Sequence, residues 1–465
     1  MIEPLLRQHG PRLQLLYDRM PPSVRTLLTS TRGWVLTRLR YSPAMYAHIR
    51  ELQSHEKWTA EEMTACQLKE LQHCLDNARK FVPFYADYPA IEFRSGADLA
   101  RLPLLTREVV RENASRFIST NAPKSQLIRV GTTGTTGANL KVAYTTGIAQ
   151  QNWAFAMRQW LWAGIQPRAP RLTFFGSRVV PTGQTTPPYW AHNYLERQIL
   201  VSIYHLSESA APDYLTFLHR HEGKVLEGFP SVLGILADFI LQREDSIPMR
   251  VVFTSGEPLY PFLREKIEKA FCARVYDCYG NTELCGLIQE CERGQMHLIP
   301  EYGYLEILDE QNNPVRGEDE GYLVWTSLLN QTMPLIRYRI GDRGRWQGGE
   351  PCACGRVYPL VVPTITRESD LLTCPDGRIY SPRSINQLLK ETSAFRFCQF
   401  VQDERDRVVI RAVASNGRAS EELSRVQERL QKLLGKTMRV NSELAPEPIV
   451  RAGGKIPLIV QKVKS

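Results

Sequence analysis

Seven consecutive residues, Gly131-Thr132-Thr133-Gly134-Thr135-Thr136-Gly137, follow a short apolar run, Leu127–Val130, that reads as a strand. A Gly/Thr loop in that place offers free backbone N–H groups and hydroxyl donors, and its glycines let the backbone approach closely, so it can hold phosphate oxygens. The same residues also suit an ordinary surface turn, and no Gly-Lys-Ser/Thr follows as in the common nucleotide loop. Two further loops end predicted strands: Ser255-Gly256-Glu257-Pro258 and Tyr279-Gly280-Asn281-Thr282-Glu283. Ligands of open α/β sheets bind beyond the carboxyl ends of their strands. Downstream stand Arg337-Tyr338-Arg339-Ile340-Gly341-Asp342 and, near the C-terminus, Gly453-Gly454-Lys455, which alone would read as a solvated tail lysine.

Soft ligands make a second group. Cys291 and His297 precede a gap that ends at Cys352-Ala353-Cys354-Gly355. Three thiolates and an imidazole are a closed tetrahedral set suited to structural Zn²⁺, with Cys285 as a substitute ligand; the alternative is four unrelated reduced side chains. A zinc clip would tie the loop after Glu283 to the segment after Asp342. The remaining cysteines are spread out, and Cys66, Cys74 and Cys398 lie in apolar patterns where buried thiols are common. Ten cysteines in a chain read as cytoplasmic argue against a disulfide framework.

In order and spacing, the Gly/Thr loop, the two strand-end loops, the Asp342 segment and Lys455 resemble the adenylate-forming superfamily of acyl-CoA synthetases and adenylation domains. Within it the chain looks like the phenylacetate–CoA ligase and capsule-biosynthesis ligase branch, from about Leu68 to Lys455. The resemblance implies that Thr132, Thr133, Gly134, Thr135, Thr136 and Gly137 hold the β- and γ-phosphates of ATP. It implies that Gly256, Glu257 and Pro258 line the adenine pocket, that Tyr279 stacks on the base, and that Thr282 touches the α-phosphate. Glu283 would help hold Mg²⁺, a hard cation that takes carboxylate oxygen. Asp342 would accept from both ribose hydroxyls, Arg367 would brace the ribose, and Lys455 would offset the charge that develops as pyrophosphate departs. Some members of the branch also carry the Cys…His…Cys-x-Cys-Gly-Arg arrangement. By family position the acyl pocket lies near Phe175, Phe229 and Gly280, whose aromatic walls suit an aryl or compact hydrophobic acid.

Three positions depart from the family pattern. Asn139 replaces a proline after the Gly-rich loop, and Pro457 replaces a basic residue after Lys455. Ser369 in Thr366-Arg367-Glu368-Ser369-Asp370 stands where the family has a hinge Asp, which bears on how far a lid can turn. The function implied is ATP-dependent activation of a carboxylic acid to an acyl-adenylate, followed by transfer to CoA. An amine or hydroxyl acceptor is the enzymatic alternative. A degenerate nucleotide-binding assembly protein is the alternative of another class.

These residues need elements to place them. Pro43–Lys80 reads as helical, closed by Val82-Pro83. Strands and helices then alternate from Leu127 to Tyr279, which predicts an α/β fold with largely parallel sheets. Trp153, Phe155, Trp160 and Trp162, at helical spacing within 148–163, read as core. Glu306–Leu308, Tyr322–Thr326 and Leu335–Tyr338 look like short antiparallel strands. Near Arg367 the texture changes to β-β-α-β: Phe397–Gln402, Arg407–Val413, a helix with Ser420 as N-cap and Gly435 as its stop, and Met438–Ser442. The expected division is an ATP- and acid-binding domain over 1–366 and a small, mobile α+β lid over 367–465.

The 465 residues are 43% hydrophobic and 23% charged, ordinary for globular chains, and no stretch approaches a membrane span. The reading is a cytoplasmic protein. Net charge is +9, and up to Arg50 eight arginines face only Glu3 and Asp18. That basic region is either a solvated helical face or a dock for an acidic partner or surface; no nucleic-acid motif accompanies it.

Overall fold

The computed structural model describes residues 17–131, 140–177, 179–181, 184–207, 209–364, 372–375, 379–380, 385, 387–389, 392, 394–450 and 456–463. Three helices come first: α1 (Pro22–Arg40), α2 (Pro43–His55) and α3 (Ala60–Phe81). The segment read as helical over 43–80 is two helices, because Thr59 starts a new one. Its hydroxyl accepts from Glu62 N and the Glu62 carboxylate accepts from Thr59 N, a reciprocal cap. The short α4 (Arg107–Glu112) is capped by Thr106. The hairpin β1 (Leu127–Gly131) and β2 (Lys141–Thr145) flanks the Gly/Thr loop.

Helix α5 (Thr146–Trp162) leads into an eight-stranded mixed sheet. Its strands are β3 (Arg171–Phe174), β4 (Trp190–Asn193), β5 (Gln198–Val201), β6 (Val225–Gly228), β7 (Val251–Ser255), β8 (Val275–Gly280), β9 (Leu287–Glu290) and β10 (Met296–Leu298). Their spatial order is β10-β9-β8-β7-β6-β3-β5-β4. The five strands from β8 to β5 are mutually parallel, and β4, β9 and β10 add antiparallel edges. The crossovers after β5, β6 and β7 are α6 (Ala211–His219), α7 (Pro230–Leu241) and α8 (Pro261–Phe271). Strands β3 and β5 are buried along their whole length, as strands covered on both faces must be. Phe155, Trp160 and Trp162 are core, as expected, and Trp153 is partly buried.

A four-stranded antiparallel sheet follows, β11 (Gly303–Leu308), β12 (Gly321–Ser327), β13 (Tyr338–Trp346) and β14 (Val361–Pro363). The expected strand over 335–338 is instead the approach to β13. Arg337 takes a left-handed backbone (φ 53°), and its guanidinium is spent on Glu306 and the Leu102 carbonyl.

From Leu372 on the chain builds its own core. After the two-residue strands β15 (Leu372–Thr373) and β16 (Ile379–Tyr380) come β17 (Phe395–Glu404), β18 (Arg407–Ala414), α9 (Ala419–Leu434), β19 (Arg439–Leu444) and β20 (Ile459–Gln461), with sheet order β19-β18-β17-β20. Helix α9 buries Leu423, Val426, Leu430 and Leu434 and ends at Gly435 (φ 82°). Its start is Arg418 without a side-chain cap, so Ser420 lies inside the helix and is not the N-cap. The proposed boundary at 366/367 falls outside the described residues.

Candidate functional site at the carboxyl ends of the parallel strands

Parallel pairing puts the ends of β6, β7 and β8 side by side, so the loops that follow them share one edge of the sheet. Gly228 must be glycine there: a Cβ would lie 2.9 Å from Phe174 Cβ and 3.0 Å from its carbonyl oxygen. Phe229 and Phe175, the two aromatic residues expected at the acyl pocket, meet edge to face at 5.1 Å. Gly280 is exposed, and a Cβ on it would touch only Leu287 at 3.5 Å.

After β7, Gly256 turns the chain with φ 79°. Glu257 is buried, with both carboxylate oxygens engaged. One carboxylate oxygen accepts from Ser231 N, in the first turn of α7, at 3.1 Å, where the helix dipole favours an anion. The other accepts from Ile456 N at 3.1 Å. Ile456 belongs to the C-terminal unit and directly follows Lys455. Ile456 and Phe397 pack on the core around α7, and Gln242 donates to Ser415. The C-terminal unit therefore sits against the strand ends.

After β8, Asn281 folds its loop tightly: its side-chain oxygen accepts from Cys285 N at 3.0 Å and its amide donates to the Gly286 carbonyl at 3.1 Å. That leaves Thr282 exposed and Glu283 buried. Glu283 accepts from the Tyr338 hydroxyl at 3.3 Å, and the Arg107 guanidinium lies 3.6 Å from the same oxygen. A single carboxylate in such a place fits Mg²⁺ held jointly with phosphates, since Mg²⁺ keeps most of its sites for water and substrate oxygen.

Tyr279 is 4% exposed, its ring faces Trp325 at 6.3 Å, and its hydroxyl donates to Asp342 Oδ2 at 2.8 Å. Burial, with the Asp342 charge beside it, drives the Tyr279 hydroxyl well above its ordinary pKa, so it stays a donor. Tyr279 and Asp342 come from different sheets, and their bond locks β8 to β13. Two residues back, burial pushes the Asp277 carboxyl up to about 7, against the Thr254 hydroxyl that donates to it at 2.7 Å.

The Cys/His group assembles away from these loops. Cys291 directly follows β9, His297 lies on β10, and Cys352 and Cys354 come from the loop before β14. All four ligand atoms lie within 4.8 Å of one another. The sulfurs of Cys291 and Cys352 are 3.7 Å apart, and Cys354 Sγ is 3.4 Å from His297 Nε2. Tetrahedral bonds to zinc imply about 3.8 Å between sulfurs and about 3.6 Å between sulfur and nitrogen. His297 Nδ1 is 2.9 Å from the Tyr358 carbonyl, which fixes the tautomer with Nε2 free to ligate, and Arg293 N donates to Cys291 Sγ at 3.3 Å. The donor set fits Zn²⁺. Cys285 is not the substitute ligand envisaged: its thiol faces Asn281 Oδ1 at 3.3 Å. All ten cysteines are free thiols.

The structure thus brings together Glu257, Tyr279, Glu283, Asp342, Phe175 and Phe229 around the strand ends, and Cys291, His297, Cys352 and Cys354 in one cluster. Thr132, Thr133, Gly134, Thr135, Thr136, Gly137, Arg367 and Lys455 lie outside the described residues. Sequence reasoning missed Arg107 and Tyr338, the two neighbours of Glu283. Tyr338 stood inside a quoted motif, whereas nothing local marks Arg107.

No protein-family model matches the chain. Among curated proteins, Protein CapK of Staphylococcus aureus is 24% identical over 424 residues, 87% of this chain and 89% of that protein. Phenylacetate-coenzyme A ligase of Thermus thermophilus is 24% identical over 344 residues, 71% of this chain and 75% of that one. Among solved structures, 2-hydroxyisobutyryl-CoA ligase in its postadenylation state superposes with TM-score 0.67 at 22% identity, covering 88% of this chain and 91% of that one. The same ligase in its thioesterification state gives TM-score 0.55.

Proposed function

Because the chain belongs to the adenylate-forming superfamily, on its phenylacetate–CoA ligase-like branch, we propose that it activates a carboxylic acid with ATP and passes the acyl group to CoA. The observation that carries this reading is the Ile456–Glu257 hydrogen bond, which docks the residue after Lys455 on the same strand ends that hold Glu283, Tyr279 and Asp342. In the first step a carboxylate oxygen of the acid attacks the α-phosphorus of ATP and pyrophosphate leaves. In the second the CoA sulfur attacks the acyl carbon, AMP leaves and the thiol proton passes to solvent.

In this reading Thr132 to Gly137 cradle the β- and γ-phosphates and Thr282 donates to the α-phosphate. Glu283 holds Mg²⁺, which neutralises phosphate charge when bound, with Arg107 as a second cation beside the phosphates. Asp342, oriented by Tyr279, accepts from the ribose, and Gly256 to Pro258 and Tyr279 bound the adenine. Arg367 braces the ribose, and Lys455 stabilises the charge that grows during adenylation. Phe175, Phe229 and Gly280 bound a compact hydrophobic or aryl acid. Cys291, His297, Cys352 and Cys354 hold a structural zinc. The free thiols and the need for ATP and CoA support a cytoplasmic setting. The test is pyrophosphate release over a panel of carboxylic acids, with and without CoA. Acid-dependent release, with an acyl-CoA product when CoA is present, is expected. The absence of acid-dependent release across aryl and short branched acids would overturn the reading.

A further inference from the structure

Helix α1 is inside out. Its protein-facing stripe is Arg25, Thr29 and Gly33, all buried, one helical turn apart. Two of them engage the edge strand β4 or its neighbours: Arg25 donates to Gln184 at 2.9 Å, and a Cβ on Gly33 would strike the Asn193 side chain at 1.8 Å. Between them Ser30 donates to the His192 carbonyl at 3.2 Å, and Arg40 at the end pairs with buried Glu196 at 3.1 Å. The opposite face carries Val24, Leu27, Leu28, Thr31, Trp34 and Arg38, at the i, i+3, i+4, i+7 spacing of one helical stripe. Leu27 is 64% exposed and Trp34 46%. The turn after β4, bonded to α1 through Tyr194 N and Ser30 Oγ, adds Tyr194 at 67% and Leu195 at 43%. Six of the ten large apolar side chains exposed among the described residues therefore lie on this one edge of the molecule.

The charges around them are predominantly positive, Asp18 next to Arg19 being an exception. Helix α1 contains no acidic residue, and Arg19, Arg32, Arg38 and Arg197 surround the apolar stripe, the Arg38 guanidinium lying 3.9 Å over the Trp34 ring. We propose that α1 and the turn at Tyr194–Leu195 form a docking face for an anionic lipid surface, with α1 lying in the plane of the interface. Leucines, a tryptophan and a tyrosine rimmed by arginines are the side chains that partition into the headgroup region. A second copy of the chain fits poorly, because a two-fold contact would set mainly arginine against arginine, with Asp18 a single carboxylate against several guanidinium groups. A nucleic-acid backbone would leave Val24, Leu27 and Leu28 in water. No helix among the described residues is long and apolar enough to cross a membrane.

The test is flotation of the full chain with vesicles of phosphatidylcholine alone or with about 30% phosphatidylserine, at about 0.1 M and about 0.5 M salt. Binding to the anionic vesicles is expected, weakened by salt and at least about tenfold weaker for the Leu27→Glu/Trp34→Glu variant. Arg19→Glu/Arg38→Glu, which leaves the apolar stripe intact, should cost about fivefold per arginine. Both variants should melt and release pyrophosphate like the wild type. Failure to bind anionic vesicles overturns the proposal, as does binding that survives both variants. So does self-association abolished by Leu27→Glu/Trp34→Glu without vesicle binding, which would assign the face to a second copy. Duplex DNA binding that Leu27→Glu/Trp34→Glu leaves intact, in place of vesicle binding, would assign it to nucleic acid.

Discussion

The Cys/His cluster and the strand-end site are built by the same means and come out opposite in kind. Each gathers side chains from segments far apart in the chain. In the cluster the four donor atoms face one another, and their backs are braced by the Tyr358 carbonyl and Arg293 N–H, so the set is complete within the protein. At the strand ends the carboxylates of Glu257, Glu283 and Asp342 each accept from another element: the C-terminal unit, Tyr338 and Tyr279. Those bonds fix the three carboxylates in place without closing them on one another. A closed set governs whether the scaffold stays assembled; an open set governs rate. Substitutions in the first should therefore move melting, and in the second the half-reactions.

The largest effect expected is at Lys455. One positioned charge in a dry site is worth roughly 3–4 kcal/mol, or about 10²–10³ in rate, so Lys455→Ala should lose that much adenylation. Given preformed acyl-adenylate and CoA, the same variant should transfer the acyl group at near wild-type rate. Equal loss in both half-reactions would remove the distinction between the steps. Next comes the cluster. Metal analysis of the purified protein should find about one zinc per chain, and Cys352→Ala/Cys354→Ala should drop the zinc and lower melting by several degrees while adenylation at low temperature persists. A metal-free wild type that melts like the variant would make the four residues ordinary reduced side chains.

Much of this was legible in the sequence because the chemistry lies in contiguous motifs at strand ends, where hydrophobic runs mark the strands and Gly, Thr and acidic residues mark the loops. Gly256, Tyr279, Glu283 and Asp342 needed no tertiary information to be singled out. Pairings did. That Glu257 serves α7 and Ile456, that Arg107 stands by Glu283, and that Tyr338 starts a strand at a left-handed Arg337 all depend on segments meeting in space. Helix α1 shows the same limit from the other side. Its apolar spacing resembles that of α9, yet α9 buries its leucines and α1 displays them, because β4 and the loops flanking it offer α1 polar partners such as Gln184, His192 and Glu196. Periodicity finds a stripe and cannot say what it faces.

A smaller effect is expected at Glu283, the carboxylate proposed to hold Mg²⁺. Glu283→Gln keeps the Tyr338 contact, since an amide oxygen also accepts, but offers Mg²⁺ a neutral ligand. Adenylation at limiting Mg²⁺ should fall about tenfold, equivalent to ~1.4 kcal/mol, and recover partly at high Mg²⁺. The melting temperature should hold. Loss that no Mg²⁺ concentration relieves would assign Glu283 to fixing Arg107 and Tyr338 instead.

The finest division falls at Glu257, which has one oxygen on each side of the comparison. Its bond to Ser231 N belongs to the scaffold, where it neutralises the first turn of α7; its bond to Ile456 N joins the C-terminal unit, in the arrangement proposed for adenylation. Glu257→Ala removes both. The α7 bond should appear as a modest fall in melting, since a carboxylate at a helix start contributes about 0.3–1 kcal/mol. The Ile456 bond should appear only in the step that uses this docked arrangement. Losing about 1 kcal/mol there would shift the unit away from the strand ends and slow adenylation about fivefold, with thioester formation from preformed adenylate unchanged. Glu257→Gln retains one good acceptor oxygen and should recover part of either effect. If Glu257→Ala lowers melting but slows both half-reactions alike, the bond to Ile456 is ordinary packing between two units, and the docked arrangement is not what makes adenylation fast.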